Sequence, residues 1–230
     1  MELEKVNLRT NNDRSTSPRR GFLGRLAGGA AAMALFGVPE KAFAEERVQG
    51  TDWMDALTAK HRTVFDMSAH GNGKPLTQAK NYLDAWRDAF KVTEHDVNLV
   101  IGCHGDAIPV VLTDALWSRY KIGEQYNITD GGTKAPAVRN VFSTANATAG
   151  GLVTPEQSVD GLQKRGVRFL ICMNTIAGAT KKLVAAGLGS SDEIHAAIMG
   201  GLLPNVMTVP AMVVAMTQLQ EHGLKYTKIA

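Results

Sequence analysis

The chain has 230 residues, 44% hydrophobic, 6% aromatic and 20% charged, the balance of a globular domain with one core rather than of a disordered or fibrous chain. Its two cysteines exclude a disulfide scaffold, a four-cysteine zinc site and an iron–sulfur cluster held by cysteine alone within one chain. The formal net charge of +3 comes from the N-terminal segment.

That segment reads as an address. Ser17-Pro18-Arg19-Arg20-Gly21-Phe22-Leu23 sets two arginines before an apolar pair, a Gly/Ala-rich run reaches Val38, and Lys41-Ala42-Phe43-Ala44 follows. A charged region, an apolar run and a small-residue cleavage site in that order predict a signal peptide over residues 1–44. The paired arginines make it a twin-arginine signal, read by the twin-arginine export machinery rather than serving as an anchor. Without it, 18 basic side chains face 18 acidic ones, so the cationic surplus that phosphate neutralisation requires is gone and nucleic acid is not an expected partner. No other stretch reaches about 18 consecutive apolar residues, so no membrane association is expected after cleavage. The expected location is the bacterial periplasm, which permits disulfides.

Residues 45–62 read as a polar lead-in carrying one amphipathic helix around Trp53, Met54 and Leu57, and residues 63–230 as the folded domain. Thr63–Ser68 predicts a strand, ended by Gly71-Asn72-Gly73. Leu76, Ala79, Leu83, Trp86 and Phe90 recur at helical spacing over 75–90. Val97–Gly102 is a second strand, too apolar to be half exposed, and after Cys103-His104-Gly105 a helix is predicted through Val110, Val111, Ala115, Leu116 and Trp117. From Lys121 to Thr154 periodicity fades and Gly, Asn, Thr and Ala dominate; an irregular connection of this length suits a lid or an arm onto a neighbouring subunit. Thr154-Pro155-Glu156 predicts a helix start that runs to Gly166. Val167–Ile171 is a third strand, with a helix from Cys172-Met173-Asn174 to near Gly187, and a short helix capped by Ser190 or Ser191 follows. Asn205–Val209 is a fourth strand, Pro210 opens a helix through Gln220, and Leu224–Ile229 is a fifth strand. Strands alternating with helices predict an α/β fold: a three-layer sandwich around a central, mostly parallel five-stranded sheet.

Ligands of such sheets sit beyond the carboxyl ends of the strands. Ala69-His70, Cys103-His104, Cys172-Met173-Asn174 and Val209-Pro210 fall there, so both cysteines and two of the six histidines share one rim. Cys172 precedes a helix, where unpaired N–H groups and the dipole favour a nucleophilic thiolate; the competing reading is a buried structural cysteine. Cys103-His104 reads as a core pair, as half of a Cys103–Cys172 disulfide, or as ligands for a transition metal or haem with His70 contributing. No CxxC or HExxH spacing supports a metal, and neither a G-x-S-x-G elbow nor a Walker loop is present. Asp114, Trp117, Arg119 and Tyr120 form a polar–aromatic cluster suited to a pocket wall or to an ordinary amphipathic helix end.

Gly166–Asn174, followed by Leu203-Pro204-Asn205-Val206 and Val209-Pro210, and by Leu219-Gln220-Glu221-His222-Gly223 before the last strand, resembles the DsrE/DsrF-like superfamily. The resemblance covers roughly residues 63–230 in the strand order argued above. It implies a small α/β fold assembled as a homo-oligomer, a trimer or hexamer, and a sulfur relay in which the cysteine after the third strand, Cys172 here, carries a persulfide. The export signal and the 121–154 insertion depart from the short cytoplasmic relay proteins. Two functional expectations result: a periplasmic sulfane-sulfur handler using Cys172, with Cys103 resolving; or a non-catalytic module binding a small ligand, haem or metal through Cys103, His104, His70 and Asn174.

Overall fold

The strand expected over 63–68 is the middle of a longer one, β1 (His61–Ala69), in a sheet completed by β2 (Val97–Asp106), β3 (Arg168–Cys172), β4 (Val206–Val209) and β5 (Lys225–Ile229). The structure is a computed structural model that describes residues 51–147 and 151–230; the expected signal peptide, residues 1–44, lies outside them. The strand order is β4-β3-β2-β1-β5 and every neighbouring pair is parallel. β2 and β3 lie inside the sheet with both faces covered, which is why their middles, residues 99–101 and 169–171, read as apolar at every position.

Among the described residues seven α-helices join the strands: α1 (Lys74–Asp88), α2 (Asp114–Arg119), α3 (Ile122–Gln125), α4 (Val159–Lys164), α5 (Met173–Ala185), α6 (Ser191–Gly200) and α7 (Met212–Glu221). The chain steps from β1 to β4 in one direction, then returns to set β5 on the far side of β1. Right-handed crossovers put the helix of a reversed step on the opposite face, and the packing follows that rule. Leu76, Leu83, Leu162, Ile176 and Ile194 bury against Phe65, Ile101 and Ile171 on one face. Met212, Met216 and Leu219 of α7 bury against Val64, Val100 and Leu170 on the other, joined by Met54 and Leu57 of the lead-in. The result is the expected three-layer α/β sandwich around a five-stranded parallel sheet. The lead-in itself is a 3-10 helix, Thr51–Ala56, tied down where Arg168 Nη1 donates to the Trp53 carbonyl at 2.9 Å.

The 121–154 stretch departs from the lid-or-arm expectation. Its described part packs on the domain's own core: Ile122, Ile128, Val141 and Phe142 are buried with the α1–α6 layer. Beyond the short helix α3 and a 3-10 turn at Thr144–Asn146, single hydrogen bonds hold it. Ile128 N–H donates to the Gly123 carbonyl at 2.7 Å and Ala137 N–H to the Ile128 carbonyl at 2.9 Å. Asp130 accepts from the Gly132 and Thr133 N–H groups and from Arg139, and these donors, the Thr133 N–H foremost, hold its carboxyl below the usual carboxylate range. Asn140 is completely buried. Its Nδ2 donates to the Val110 and Leu112 carbonyls at 3.1 and 2.7 Å, and its Oδ1 accepts from Phe142 N–H at 2.8 Å.

Two helix assignments shift for related reasons. Thr154 to Gln157 closes a turn on itself, the Gln157 side chain accepting from Thr154 N–H at 2.8 Å. Helix α4 therefore starts later, with Ser158 as its cap accepting from Gly161 N–H at 3.0 Å. The helix expected through Val110 and Trp117 divides into a 3-10 turn, Ile108–Val111, and α2, because Leu112 breaks away to bridge Leu202. The Asp114–Tyr120 cluster is structural: Trp117 and Tyr120 are wholly buried, Asp114 accepts from Asn140 N–H and Asn146 Nδ2, and Arg119 pairs with Glu193. The α7 helix begins at Met212, two residues after Pro210.

Candidate functional site

Cys172 ends β3 and caps α5. Its backbone is extended (φ −95°, ψ 146°), and its Sγ accepts from Thr175 N–H at 3.4 Å, the role that serine or aspartate oxygens fill at most helix starts. The Thr175 hydroxyl lies 3.0 Å from the same sulfur. When the sulfur is deprotonated both bonds must be donated to it, since a thiolate has no proton to give. Gly105 N–H in turn donates to Thr175 Oγ1 at 3.1 Å, tying the end of β2 to the first turn of α5.

The sulfur is 4% exposed at the residue level, yet Cys172 lines a cavity of about 420 Å³ that opens at the carboxyl ends of the strands. His104, Asp106 and Tyr126 form one side, Asn174, Thr175 and Lys182 of α5 another, and Ala211 to Val213 at the start of α7 a third. The size is that of a small-ligand pocket. Lys182 Nζ sits 3.9 Å above the Tyr126 ring centre, a cation–π contact that holds its charge beside the opening. Burial, and secondarily the nearby Asp106 charge, push the Tyr126 hydroxyl up to about 12, so it stays a neutral donor at ordinary pH.

Of the residues predicted from sequence, Cys172, His104 and Asn174 come together at this cavity; Cys103 and His70 do not. Cys103 pairs in register with Ile171, one residue before Cys172. Strand side chains alternate, so Cys103 packs in the α1–α6 layer and Cys172 in the α7 layer. Their Cβ directions diverge and no disulfide joins them without backbone movement; both are free thiols. Cys103 is wholly buried, and burial pushes its thiol far above the usual range, which removes it as a resolving thiol or a ligand. His70 is half-buried behind the wall. Its Nδ1 accepts from Asn72 N–H at 3.1 Å, and the ring bonds the Tyr126 main chain. Burial, only partly opposed by that bond and by Asp106, holds its pKa below the ordinary histidine value.

Sequence reasoning missed the residues that organise His104. Its Nε2 lies 2.6 Å from Asp66 Oδ1, and the Tyr226 hydroxyl donates to Asp66 Oδ2 at 2.6 Å, a bond that raises the tyrosine's pKa. A carboxylate between Phe65 and Met67, in the apolar middle of β1, was the available signal, since an ionised side chain there requires partners. Thr175 and Lys182 carried no sequence signal beyond their helical position. As for a metal centre, no three His, Cys, Asp or Glu side chains among the described residues stand together as a ligand set, and His70 and His104 serve separate partners.

No family model and no curated protein matches the chain. Among solved structures it is similar to a protein of unknown function from Methanobacterium thermoautotrophicum, with 17% sequence identity and a TM-score of 0.40 over 74% of this chain and 99% of that one.

Proposed function

We propose that the protein handles sulfane sulfur through a persulfide on Cys172, as the resemblance to the DsrE/DsrF-like superfamily implies. The observation that carries the reading is the setting of the Cys172 sulfur: it caps a 13-residue helix, accepts from Thr175 N–H, has the Thr175 hydroxyl within hydrogen-bond distance and lies on the wall of a small cavity. The negative charge that the sulfur carries as a thiolate, before it attacks, is met by aligned N–H groups and by a hydroxyl already in place. In the reaction, the Cys172 thiolate attacks the outer sulfur of a persulfide R–S–SH. A new Sγ–S bond forms, the donor's S–S bond breaks, and the electron pair of that bond leaves on the donor sulfur, which departs as R–S⁻ or, once protonated, as R–SH. The transferred sulfur keeps its oxidation level, so no external oxidant or reductant takes part.

The same reading takes the chain to the periplasm by the twin-arginine route and into a homo-oligomer, trimer or hexamer. Among the described residues no helix is long and apolar enough to cross a membrane. The competing picture of a haem or metal module is less well supported, because two of its expected ligands do not line the cavity: Cys103 packs in the opposite layer and His70 accepts from Asn72 N–H.

Treatment with inorganic polysulfide followed by intact-mass analysis tests the proposal. The wild-type chain is expected to gain sulfur that maps to Cys172, and Cys103→Ser to gain it equally. Cys172→Ser is expected to gain none while remaining folded, because serine is itself a preferred helix cap. A wild-type chain that gains no sulfur refutes the proposal.

A further inference from the structure

We infer that His104 is the proton-transfer residue of the Cys172 cavity, with Asp66 as its positioning residue; the inference rests on the reading of Cys172 as the attacking sulfur. Strand alternation brings these groups to one face. Val64, Val100 and Leu170 point into the α7 layer, and Asp66, His104 and Cys172 follow them at even spacing along β1, β2 and β3. Asp66 is 16% exposed at its side chain and His104 32%: one is sheltered in the sheet and the other reaches the opening.

The bonds fix the tautomer. A carboxylate only accepts, so the Tyr226 hydroxyl occupies one Asp66 oxygen as donor and His104 Nε2–H occupies the other. The neutral ring then carries its proton on Nε2 and its lone pair on Nδ1, the arrangement by which a carboxylate orients a general base. The charged and titratable groups around the ring are few. Asp66 comes from β1, with Lys228 of β5 in register beside it, and Tyr226 also comes from β5. Asp106 lies at the end of β2; Cys172 and Lys182, from the start and body of α5, and Tyr126 line the same cavity. α7 and its cap residue contribute only Ala211, Met212 and Val213 there. No second imidazole lines this cavity.

His104 Nδ1 takes the Cys172 thiol proton, directly or through one water, as Sγ attacks. When the donor's S–S bond breaks, the electron pair departs on the donor sulfur and His104 returns the proton to it, releasing R–SH. The chain ends with its persulfide and a neutral imidazole, so protons and electrons balance. Protonating the leaving sulfur matters most when that sulfur is a strong base, and this gives the role a signature that a structural histidine lacks.

The test follows Cys172 modification by disulfides whose leaving thiols range from acidic aryl to basic alkyl, with mass mapping of the label. Wild type is expected to depend weakly on the leaving group. His104→Gln is expected to lose about a hundredfold with alkyl leaving groups, within the range of general acid–base catalysis, and less than about threefold with aryl ones. Asp66→Asn, a milder change, is expected to steepen the dependence in the same sense, and the nitrogen NMR shifts of His104 to lose the Nε2–H pattern. Equal slowing of both ends of the series, or none, overturns the role of His104; a wild-type slope and unchanged nitrogen shifts in Asp66→Asn overturn that of Asp66. The disulfide arm also separates the two readings. A wild type that shows the His104-dependent slope but takes no sulfur from polysulfide refutes the sulfur proposal alone, and sulfur uptake with an unchanged slope in His104→Gln refutes this one alone.

Discussion

Replacing Asn140 by leucine measures how firmly the 121–147 stretch belongs to the fold. Leucine preserves the side-chain volume and removes every polar bond. The Val110 and Leu112 carbonyls lose their donors, and Phe142 N–H loses its acceptor, all at a position with no solvent exposure. Each buried group left unpaired costs about 1–3 kcal/mol. Some recovery by local relaxation puts the expected total near the low end, about 3–5 kcal/mol. That is a large share of the ~5–15 kcal/mol that holds a domain together. Urea unfolding followed by tryptophan fluorescence reads it, and Trp117 reports locally: its Nε1–H donates to the Pro109 carbonyl at 3.1 Å and its ring centre lies 6.1 Å from that of Phe142. Trypsin supplies an independent readout. Lys121 and Lys134 are exposed, yet a segment held as described resists cleavage in wild type and yields in Asn140→Leu. A loss below about 1 kcal/mol, or rapid cleavage of the wild type between residues 121 and 147, refutes the claim that this stretch is part of the core.

Thr175→Val removes the hydroxyl 3.0 Å from the Cys172 sulfur and retains the shape of the side chain. Hydrogen bonds to charged groups are worth about 1.5–3 kcal/mol, so alkylation of Cys172 is expected to slow by about tenfold to a hundredfold. Stability should change by less than about 1 kcal/mol, because Gly105 is exposed and its N–H turns to water; an unchanged alkylation rate shows that the hydroxyl does not serve the sulfur. A pH dependence follows from His70, whose pKa is lowered in the folded protein by burial. The unfolded chain takes up the proton first, near pH 6.5, so stability is full above that value and declines as the pH falls toward the lowered folded pKa. His70→Asn retains a cap acceptor for Asn72 N–H and removes the titration. Urea midpoints are expected to converge or cross as the pH drops from about 7.5 to 5, and parallel curves for the two proteins refute the assignment.

The strands and the layer order were legible because their signal is local. Residues 99–101 and 169–171 are apolar at consecutive positions, and only a strand covered on both faces makes that favourable. Helix α1 could be read from Leu76, Ala79 and Leu83, which are buried at helical spacing. The 121–154 stretch was illegible because its order comes from polar side chains that bond main-chain groups, Asn140 and Asp114 reaching groups distant in sequence and Asp130 closing a local turn; no period records such bonds. The N-terminal boundary of β1 was missed for the same kind of reason, since Arg62 is held by the Leu57 and His222 carbonyls.

The candidate site shows the limit more sharply. Position along a strand can be read from sequence to within a residue or two, which sufficed to bring Cys103, His104 and Cys172 to one end of the sheet. Facing direction reverses with every residue, and an uncertainty of one residue in where a strand stops leaves it undetermined. Had β2 ended at Gly102, the thiol of Cys103 and the ring of His104 would both be free loop side chains. In fact β2 runs to Asp106, so Cys103 turns into the α1–α6 layer while His104, one residue on, turns to the other face. The alternation that parts the two sulfurs is the same one that delivers an imidazole to the remaining sulfur's side of the sheet. A reactive cysteine here accordingly calls for a proton carrier rather than a second thiol, and Asp66 supplies the reason why that carrier is this histidine: only on the α7 face does β1 present a carboxylate to orient it.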